Sequence, residues 1–328
     1  MLLSPSVVLM FISILMSIFL VVSSPSLLVS WVGLELNTMA FLPLMLMQKS
    51  KLSSEGSIKY FLTQTLASIL VFLGGVCFFG GLAFLGDILV LVGLSIKLGA
   101  APFHSWILSV AEGVGWGVLF ILLTLQKVNP LAMMWGFGVE SHGVLEGVII
   151  ISLVLGASMG LVQTSTRLLM TFSSINHLGW LLTTLMFDIW LGVCYFIIYL
   201  VTLFPVVYIM YTFNISHINE LFLLNFPLGG QLILFLCLLS LAGLPPFLGF
   251  LPKWLVLQWV LGGGLVVVSL IMILASLFTL FFYLRVGFSA FIMGGRVGAP
   301  VMGPLTISVG GVLSLVTSLA GLPVFMFV

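Results

Sequence analysis

Charge is nearly missing from this chain. Of 328 residues only nine are Lys or Arg and eight are Asp or Glu, 5% in all, where an ordinary soluble domain carries roughly 25%. The net charge of +1 provides no basic field to hold nucleic acid and no acidic tail to bind cations, so nucleic acid is excluded as a partner. Cysteine is scarce too: Cys77, Cys194 and Cys237 each lie inside an apolar run, with no C-x-x-C and no histidine at ligand spacing, and read as packing residues. Also absent are a G-x-G-x-x-G after a strand, a P-loop, a nucleophile elbow, an H-E-x-x-H and any Cys/His cluster. These absences argue against hydrolysis, against a metal site and against electron transfer on cofactors of this chain's own, so no cofactor is expected to bind it. The first apolar run starts at Met1 with neither a basic leader nor a cleavage motif, so nothing is expected to be cleaved.

What fills the chain is hydrocarbon: 62% of residues are hydrophobic and mean hydropathy is +1.40. A transmembrane helix needs about 20 mostly apolar residues. Apolar runs between polar, Gly or Pro punctuation fall at 1–22, 25–47, 58–80, 87–112, 114–137, 144–162, 167–186, 190–212, 230–260, 264–288 and 304–326. The alternation of a membrane barrel is absent and no loop is long enough for an aqueous domain. The prediction is an all-α polytopic membrane protein of about eleven helices in one membrane domain. The runs 87–112 and 230–260 exceed one crossing and carry Gly and Pro near their middles, which predicts broken helices.

Counted alternately from the N-terminus, Lys49, Lys51, Lys59, Arg167, Arg285 and Arg296 fall on the N-terminal side, whereas the opposite loops hold Asp87, Glu140, Glu146 and Asp188. The segregation supports the count of eleven, and the positive-inside rule puts the N-terminus on the cytoplasmic or equivalent side and the C-terminus opposite. Asn214-Ile215-Ser216 matches a glycosylation pattern but falls on the basic side, where that modification does not occur.

Leu98-Gly99-Ala100-Ala101-Pro102-Phe103 and Ala242-Gly243-Leu244-Pro245-Pro246-Phe247 share G-x-x-P-F at an offset of 144 residues. One copy lies in the fourth predicted helix and the other in the ninth. Repeats five helices long run through a membrane in opposite directions, the inverted arrangement of transporters with discontinuous helices. Repeat 1 would cover about 1–137 and repeat 2 about 144–288, leaving a final helix at 304–326. A break at membrane depth frees carbonyls that need polar side chains or water. The plainer alternative is a pair of Pro kinks that only help helices pack.

Four charges fall at hydrocarbon depth: Glu35 in LLVSWVGLELNTMAFLPL, Lys97 in LVGLSIKLGAAPF, Lys127 in LFILLTLQKVNPL and Lys253 in LGFLPKWLVLQW. At a helix centre each costs roughly 2.5–3.5 kcal/mol on insertion scales, on the order of 10 kcal/mol together, so a purely structural bundle would gain from leucine there. A desolvated lysine holds its proton less tightly and a neighbouring carboxylate restores the hold. One Glu and three Lys in a hydrated midplane are therefore the parts of a proton relay, with Glu35 and Lys97 as a pair and Lys127 placed to pass protons from Lys97 toward Lys253. Lys253 alternatively snorkels from a helix end; if it starts a half-helix, the macrodipole opposes its cation. His177, among Ser173, Ser174 and Asn176, either extends the relay or hydrogen-bonds between helices. His104 after the first break, and Glu112 toward a lateral path, are weaker candidates. Asp87 and Asp188 each precede an apolar helix and read as caps. The sixteen methionines and Gly74, Gly75, Gly80 and Gly81 read as helix packing.

The strings GLELN (33–37), KYFLTQTLAS (59–68), KLGAAPFHSW (97–106), TLQKVNPL (124–131), FSSINHLGW (172–180) and LAGLPPFLGFLPKW (241–254) together resemble the chain 2 family of NADH:ubiquinone oxidoreductase. Its members are antiporter-like subunits in the membrane arm of respiratory complex I. The matches run in order over about residues 31–255, and beyond them only the helix pattern agrees. The resemblance implies two inverted five-helix bundles with a broken helix each, and relay roles for Glu35, Lys97, Lys127 and Lys253. It implies sister antiporter-like subunits and lipids as partners, with NADH, FMN, iron-sulfur clusters and ubiquinone bound elsewhere in the complex. Eleven helices resemble the shortened chain of animal mitochondria, which would place the basic side in the matrix and the C-terminus in the intermembrane space. The rival is a cation/proton antiporter subunit without a redox partner; a third reading is a passive scaffold.

Overall fold

The computed structural model describes residues 5–138, 141–220 and 228–293. The predicted last helix at 304–326, Arg296 and Glu140 lie outside them. The described residues form thirteen helices: α1 (Pro5–Ser23), α2 (Leu27–Leu46), α3 (Lys51–Phe79), α4 (Ala83–Leu98), α5 (Ser105–Gly113), α6 (Trp116–Leu123), α7 (Leu125–Phe137), α8 (His142–Val162), α9 (Thr166–Thr184), α10 (Ile189–Thr212), α11 (Leu228–Ala242), α12 (Phe250–Gly262) and α13 (Val266–Met293). Among the described residues the only β pairing is a single bridge, Ser165 to His217. The chain forms two compact units, Met1–Ser152 and Leu153–Val328.

The distribution of side chains is inverted relative to a protein in water. Leu9, Phe19, Phe79 and Trp190 are exposed, while Asn37, Gln126, Lys97, Lys127 and Lys253 are buried. A hydrocarbon solvent selects this arrangement, because polar groups must find partners within the bundle. Among the described residues seven spans are long and apolar enough to cross a membrane, with α6 and α7 counted as one. Helix α9 is left out of that set because it is polar, yet every residue from Leu169 to Thr184 is buried.

Small residues set the closest approach in the first unit. Helix α3 packs on α4, α5 and α2; a Cβ at Gly74 would lie 2.9 Å from the Gly86 carbonyl, and one at Gly93 would lie 2.9 Å from the Ala67 carbonyl. Gly75 likewise meets Leu27. Gly80 and Gly81 differ from the expectation: Gly80 caps α3, and Gly81, at φ +79°, faces open space, so both end a helix rather than pack it. In the second unit α9 packs on α10, α12 and α13, and α11 on α10 and α13.

Helix ends correct several readings. Ser50 caps α3, its side chain accepting from the Ser53 N–H at 3.0 Å while Ser53 accepts from the Ser50 N–H at 3.1 Å, so the helix starts at Lys51 rather than at the predicted residue 58. Asp188 caps α10 through the Trp190 N–H at 3.2 Å. Asp87 does not cap: the apolar run continues upstream through Ala83–Leu85, the cap position is Leu82, and Asp87 sits a turn inside α4. Arg285 also lies within a helix, α13, and donates to the Leu161 and Gln163 carbonyls at 2.6 Å each. It satisfies acceptors that the end of α8 leaves open.

The two G-x-x-P-F segments share one backbone arrangement. Gly99 (φ +71°) and Gly243 (φ +77°) both take the left-handed conformation that ends a helix. Ala100 N–H donates to Ser95 O at 3.0 Å and Leu244 N–H to Leu239 O at 3.4 Å; Phe103 N–H donates to Ala100 O and Phe247 N–H to Leu244 O, both at 2.9 Å. Every partner of the first set has its counterpart 144 residues on. The predicted span 87–112 is thus α4 plus α5, and 230–260 is α11 plus α12. A third interruption was not predicted. At Thr124 (φ −120°, ψ −82°) the span 114–137 divides into α6 and α7.

Candidate functional site

In the first unit the last turn of α4 brings Lys97 against α2. Its Nζ lies 4.0 Å from Glu35 Oε1, with side-chain exposures of 1% for the lysine and 23% for the carboxylate. Neither of these atoms has a hydrogen-bond partner, so the two charges attract without a fixed bond. At 4 Å and an effective dielectric of about 20, such a pair interacts by about 4 kcal/mol.

Lys127 is fully buried at 2% exposure. The sequence predicted it at mid-helix; it stands three residues beyond the Thr124 break. The Thr124 hydroxyl takes the Phe120 carbonyl at 2.6 Å, the local competition by which Ser and Thr bend helices, and Lys127 N–H returns to Thr124 O at 3.0 Å. A single threonine in an apolar run gave no sequence signal strong enough to mark this.

In the second unit Lys253 occupies the first turn of α12. Its Nζ donates to the Ala242 carbonyl at 2.8 Å and lies 5.6 Å from the Trp180 ring centroid. A buried ammonium held across the break is not snorkelling. The expected opposition from the α12 dipole is also offset, because Ala242 O is at the negative C-terminal end of α11. Gly243 makes room: a Cβ there would lie 2.9 Å from Lys253 Cδ.

His177 is buried on α9. Its Nδ1 is 2.9 Å from Tyr195 Oη and its ring centroid is 5.0 Å from that of Tyr199. His177, Tyr195, Tyr199, Thr202 and Pro252 border a cavity of about 10 Å³, close to the minimum for one water. Pro252 precedes Lys253, so this polar corner adjoins the lysine. The two tyrosines and Trp180 were missed in the sequence, where aromatics on apolar helices read as core.

His104 and Glu112 both belong to the half-helix that follows the first break. His104 takes the cap position of α5 with Nδ1 3.2 Å from Pro102 O, and Glu112 is exposed in the last turn of α5. Among the described residues no group of three or more His, Cys, Asp or Glu could hold a metal ion.

Paired, buried and hydrogen-bonded charges beside interrupted helices suit ion or proton movement. The family model described as NADH:quinone oxidoreductase/Mrp antiporter, TM, matches residues 24–279. NADH-ubiquinone oxidoreductase chain 2 of Anopheles gambiae is 41% identical over 282 residues, covering 83% of this chain and 82% of that one. The chain belongs to the NADH-ubiquinone oxidoreductase chain 2 family. The chain 2 protein of Mus musculus is 34% identical, with 81% of each chain covered. Among solved structures, respiratory complex I from Thermus thermophilus with bound Aureothin matches with a TM-score of 0.83 at 25% identity, covering 97% of this chain and 78% of that one. The membrane-bound sulfane sulfur reductase, an archaeal respiratory membrane complex, shares the fold at a TM-score of 0.82 and 16% identity, covering 97% of this chain and 73% of that one.

Proposed function

We propose that this chain, as a membrane-arm subunit of respiratory complex I in the mitochondrial inner membrane, moves protons through buried Glu, Lys and water while redox chemistry proceeds in other subunits. Membership of the chain 2 family supports the assignment to the complex, alongside sister antiporter-like subunits. The Glu35–Lys97 pair is the observation that carries the proton role.

Lys97 holds its proton while Glu35 is charged. Protonating the carboxylate, or drawing it away, removes the attraction that keeps the ammonium charged in a desolvated site. The proton then leaves Lys97 at the α4–α5 break, where the interrupted helix gives water its best chance to reach the amine. Lys127 is the next buried amine of the first unit and carries the proton onward; Lys253, with His177 beside it, serves the second. In the same proposal the units correspond to inverted five-helix repeats, supported by the equivalent hydrogen bonds 144 residues apart, with the N-terminus in the matrix and the C-terminus in the intermembrane space.

The test is protons moved per NADH oxidised by the assembled complex in inner-membrane vesicles. Glu35→Gln is expected to lower turnover about tenfold, equivalent to about 1.4 kcal/mol, at normal assembly. Wild-type pumping in that variant would remove the pair from the mechanism. The Mrp complex of Dietzia shares the fold with a TM-score of 0.74 at 18% identity. The rival is a redox-independent antiporter subunit, supported by a family description that takes in Mrp antiporters as well, and that reading gains if the chain purifies in an assembly without NADH oxidation.

A further inference from the structure

Two buried carboxamides have no role in the relay so far. Asn37 lies two residues beyond Glu35 on α2, and Gln126 immediately precedes Lys127 on α7. Asn37 Nδ2 donates to Gln126 Oε1 at 3.1 Å, and Gln126 Nε2 donates to Asn37 Oδ1 at 3.2 Å. The Tyr60 hydroxyl of α3 donates to the same Gln126 Oε1 at 3.3 Å. All three side chains are buried, at 3%, 8% and 1% exposure. The reciprocity survives reversal of both amides, so it does not depend on which terminal atom is taken as nitrogen.

The contacts continue to the first break. Tyr60 packs edge-on against Trp106 with centroids 5.6 Å apart, and the Trp106 indole N–H donates to Ile96 O at 3.0 Å. Ile96 is the residue before Lys97. One connected set of side chains therefore touches α2 near Glu35, α4 beside Lys97 and α7 beside Lys127. Asn129 extends it to α1, with Nδ2 3.1 Å from Ser17 Oγ, and α1 carries no titratable side chain.

We propose that Asn37, Gln126 and Tyr60 are positioning residues that hold the start of α7, released from α6 at Thr124, in fixed register with the Glu35–Lys97 pair. Two leucines would keep the helices in contact equally well, because apolar packing tolerates rotation. A reciprocal amide pair is satisfied in one register only, and turning α7 by one residue would leave four buried polar groups unpaired. In that register Lys127 keeps its place relative to Glu35 and Lys97 when their charges change.

This inference rests on the relay reading, and the experiment separates the two. In assembled complex I in inner-membrane vesicles, Gln126→Leu is expected to lower turnover at least threefold and to reduce protons per NADH. The swapped pair, Asn37→Gln with Gln126→Asn, restores both to within twofold of wild type. Tyr60→Phe keeps the ring and its packing while removing one donor, and is expected to halve turnover with assembly unchanged. If Gln126→Leu only reduced the amount of complex, with wild-type protons per NADH, or if the swapped pair assembled without restoring pumping, the positioning role would be overturned. Should Gln126→Leu fail to assemble, Tyr60→Phe decides, and wild-type turnover in it overturns the proposal. Glu35→Gln serves as the control. If it pumps normally the relay itself falls; if it is impaired while the amide and tyrosine variants pump normally, only the positioning role falls.

Discussion

The two helix breaks share a backbone arrangement but surround the same carbonyl differently, although in each it already accepts the N–H of the glycine that ends the helix, Gly99 to Ile96 O at 3.0 Å and Gly243 to Ser240 O at 3.1 Å. At the first, Ile96 O accepts the Trp106 indole N–H at 3.0 Å. At the second, the equivalent carbonyl, Ser240 O, is covered by the bare Cα of Gly249. The lysines differ as well. Lys97 precedes its break and faces a titratable carboxylate at 4.0 Å without a hydrogen bond, whereas Lys253 follows its break and is bonded to a carbonyl and stacked over an indole. A carboxylate can lose its charge, and a carbonyl or an indole face cannot. In the proposed relay Lys97 is therefore the amine whose proton affinity can be switched locally, and Lys253 is held in a constant environment.

The largest expected effect breaks the comparison at its backbone. A Cβ at Gly249 would collide with Ser240 O, and the positions of both atoms are fixed by main chain that cannot rotate away. Gly249→Ala is expected to cost about 3 kcal/mol and to abolish assembly of the subunit, read on native gels. The first break carries an exposed serine, Ser105, at the corresponding offset, and Ser105→Ala should change stability by less than about 0.5 kcal/mol. Equal sensitivity at both sites would mean that the two breaks are not packed differently.

The next effect separates the lysines. Glu35→Gln removes the switchable partner and should produce the tenfold loss of turnover given above. Trp180→Leu removes the ring face over Lys253, an attraction worth about 0.5–2 kcal/mol, and opens a cavity at a fully buried site; it is expected to lower the amount of assembled complex and to slow turnover severalfold with protons per NADH preserved. If the tryptophan variant lost protons per NADH and the glutamine variant did not, switching would belong to the second unit instead.

The breaks were legible in the sequence because Gly and Pro act on the backbone directly, and the four charges at hydrocarbon depth because lipid makes each one costly. Both signals are local. Thr124 was not legible, since its hydroxyl bond to Phe120 O at 2.6 Å is of a kind that Thr63 and Thr202 make inside unbroken helices. The dipole argument for Lys253 depended on which end of which half-helix its Nζ reaches, and four flexible methylenes conceal that from the sequence. For Arg285 the sequence indicated the side of the membrane but not the partner, because nothing in α13 announces the carbonyls of Leu161 and Gln163 to which it donates. Asn37 and Gln126 stood in plain view within GLELN and TLQK, but their pairing spans 89 positions, and no local pattern records such a partner.

The smallest effect concerns a carboxylate that contrasts with Glu35. Glu220 accepts from the Ser216 N–H at 2.6 Å, the Ser216 hydroxyl at 2.5 Å and the His217 N–H at 3.2 Å, closing a turn outside the membrane-spanning helices. Slight burial would raise its pKa, but the bonds from Ser216 and His217, with the nearby His217 ring, outweigh this and hold the carboxyl below the usual carboxylate range. With the folded pKa depressed, the stabilisation is complete above the unfolded value of about 4.3 and is lost as pH falls through the folded one. Between pH 6 and 8 it should therefore be constant. Glu220→Gln keeps an acceptor but loses the charge, and is expected to cost about 1 kcal/mol at this half-buried site. The measurement is amide hydrogen exchange at Ser216 and His217 in the intact complex, which should rise modestly in the variant while protons per NADH stay at the wild-type value. A change in pumping instead would mean that Glu220 handles protons as Glu35 is proposed to, and the division between switchable and fixed charges would have to be redrawn.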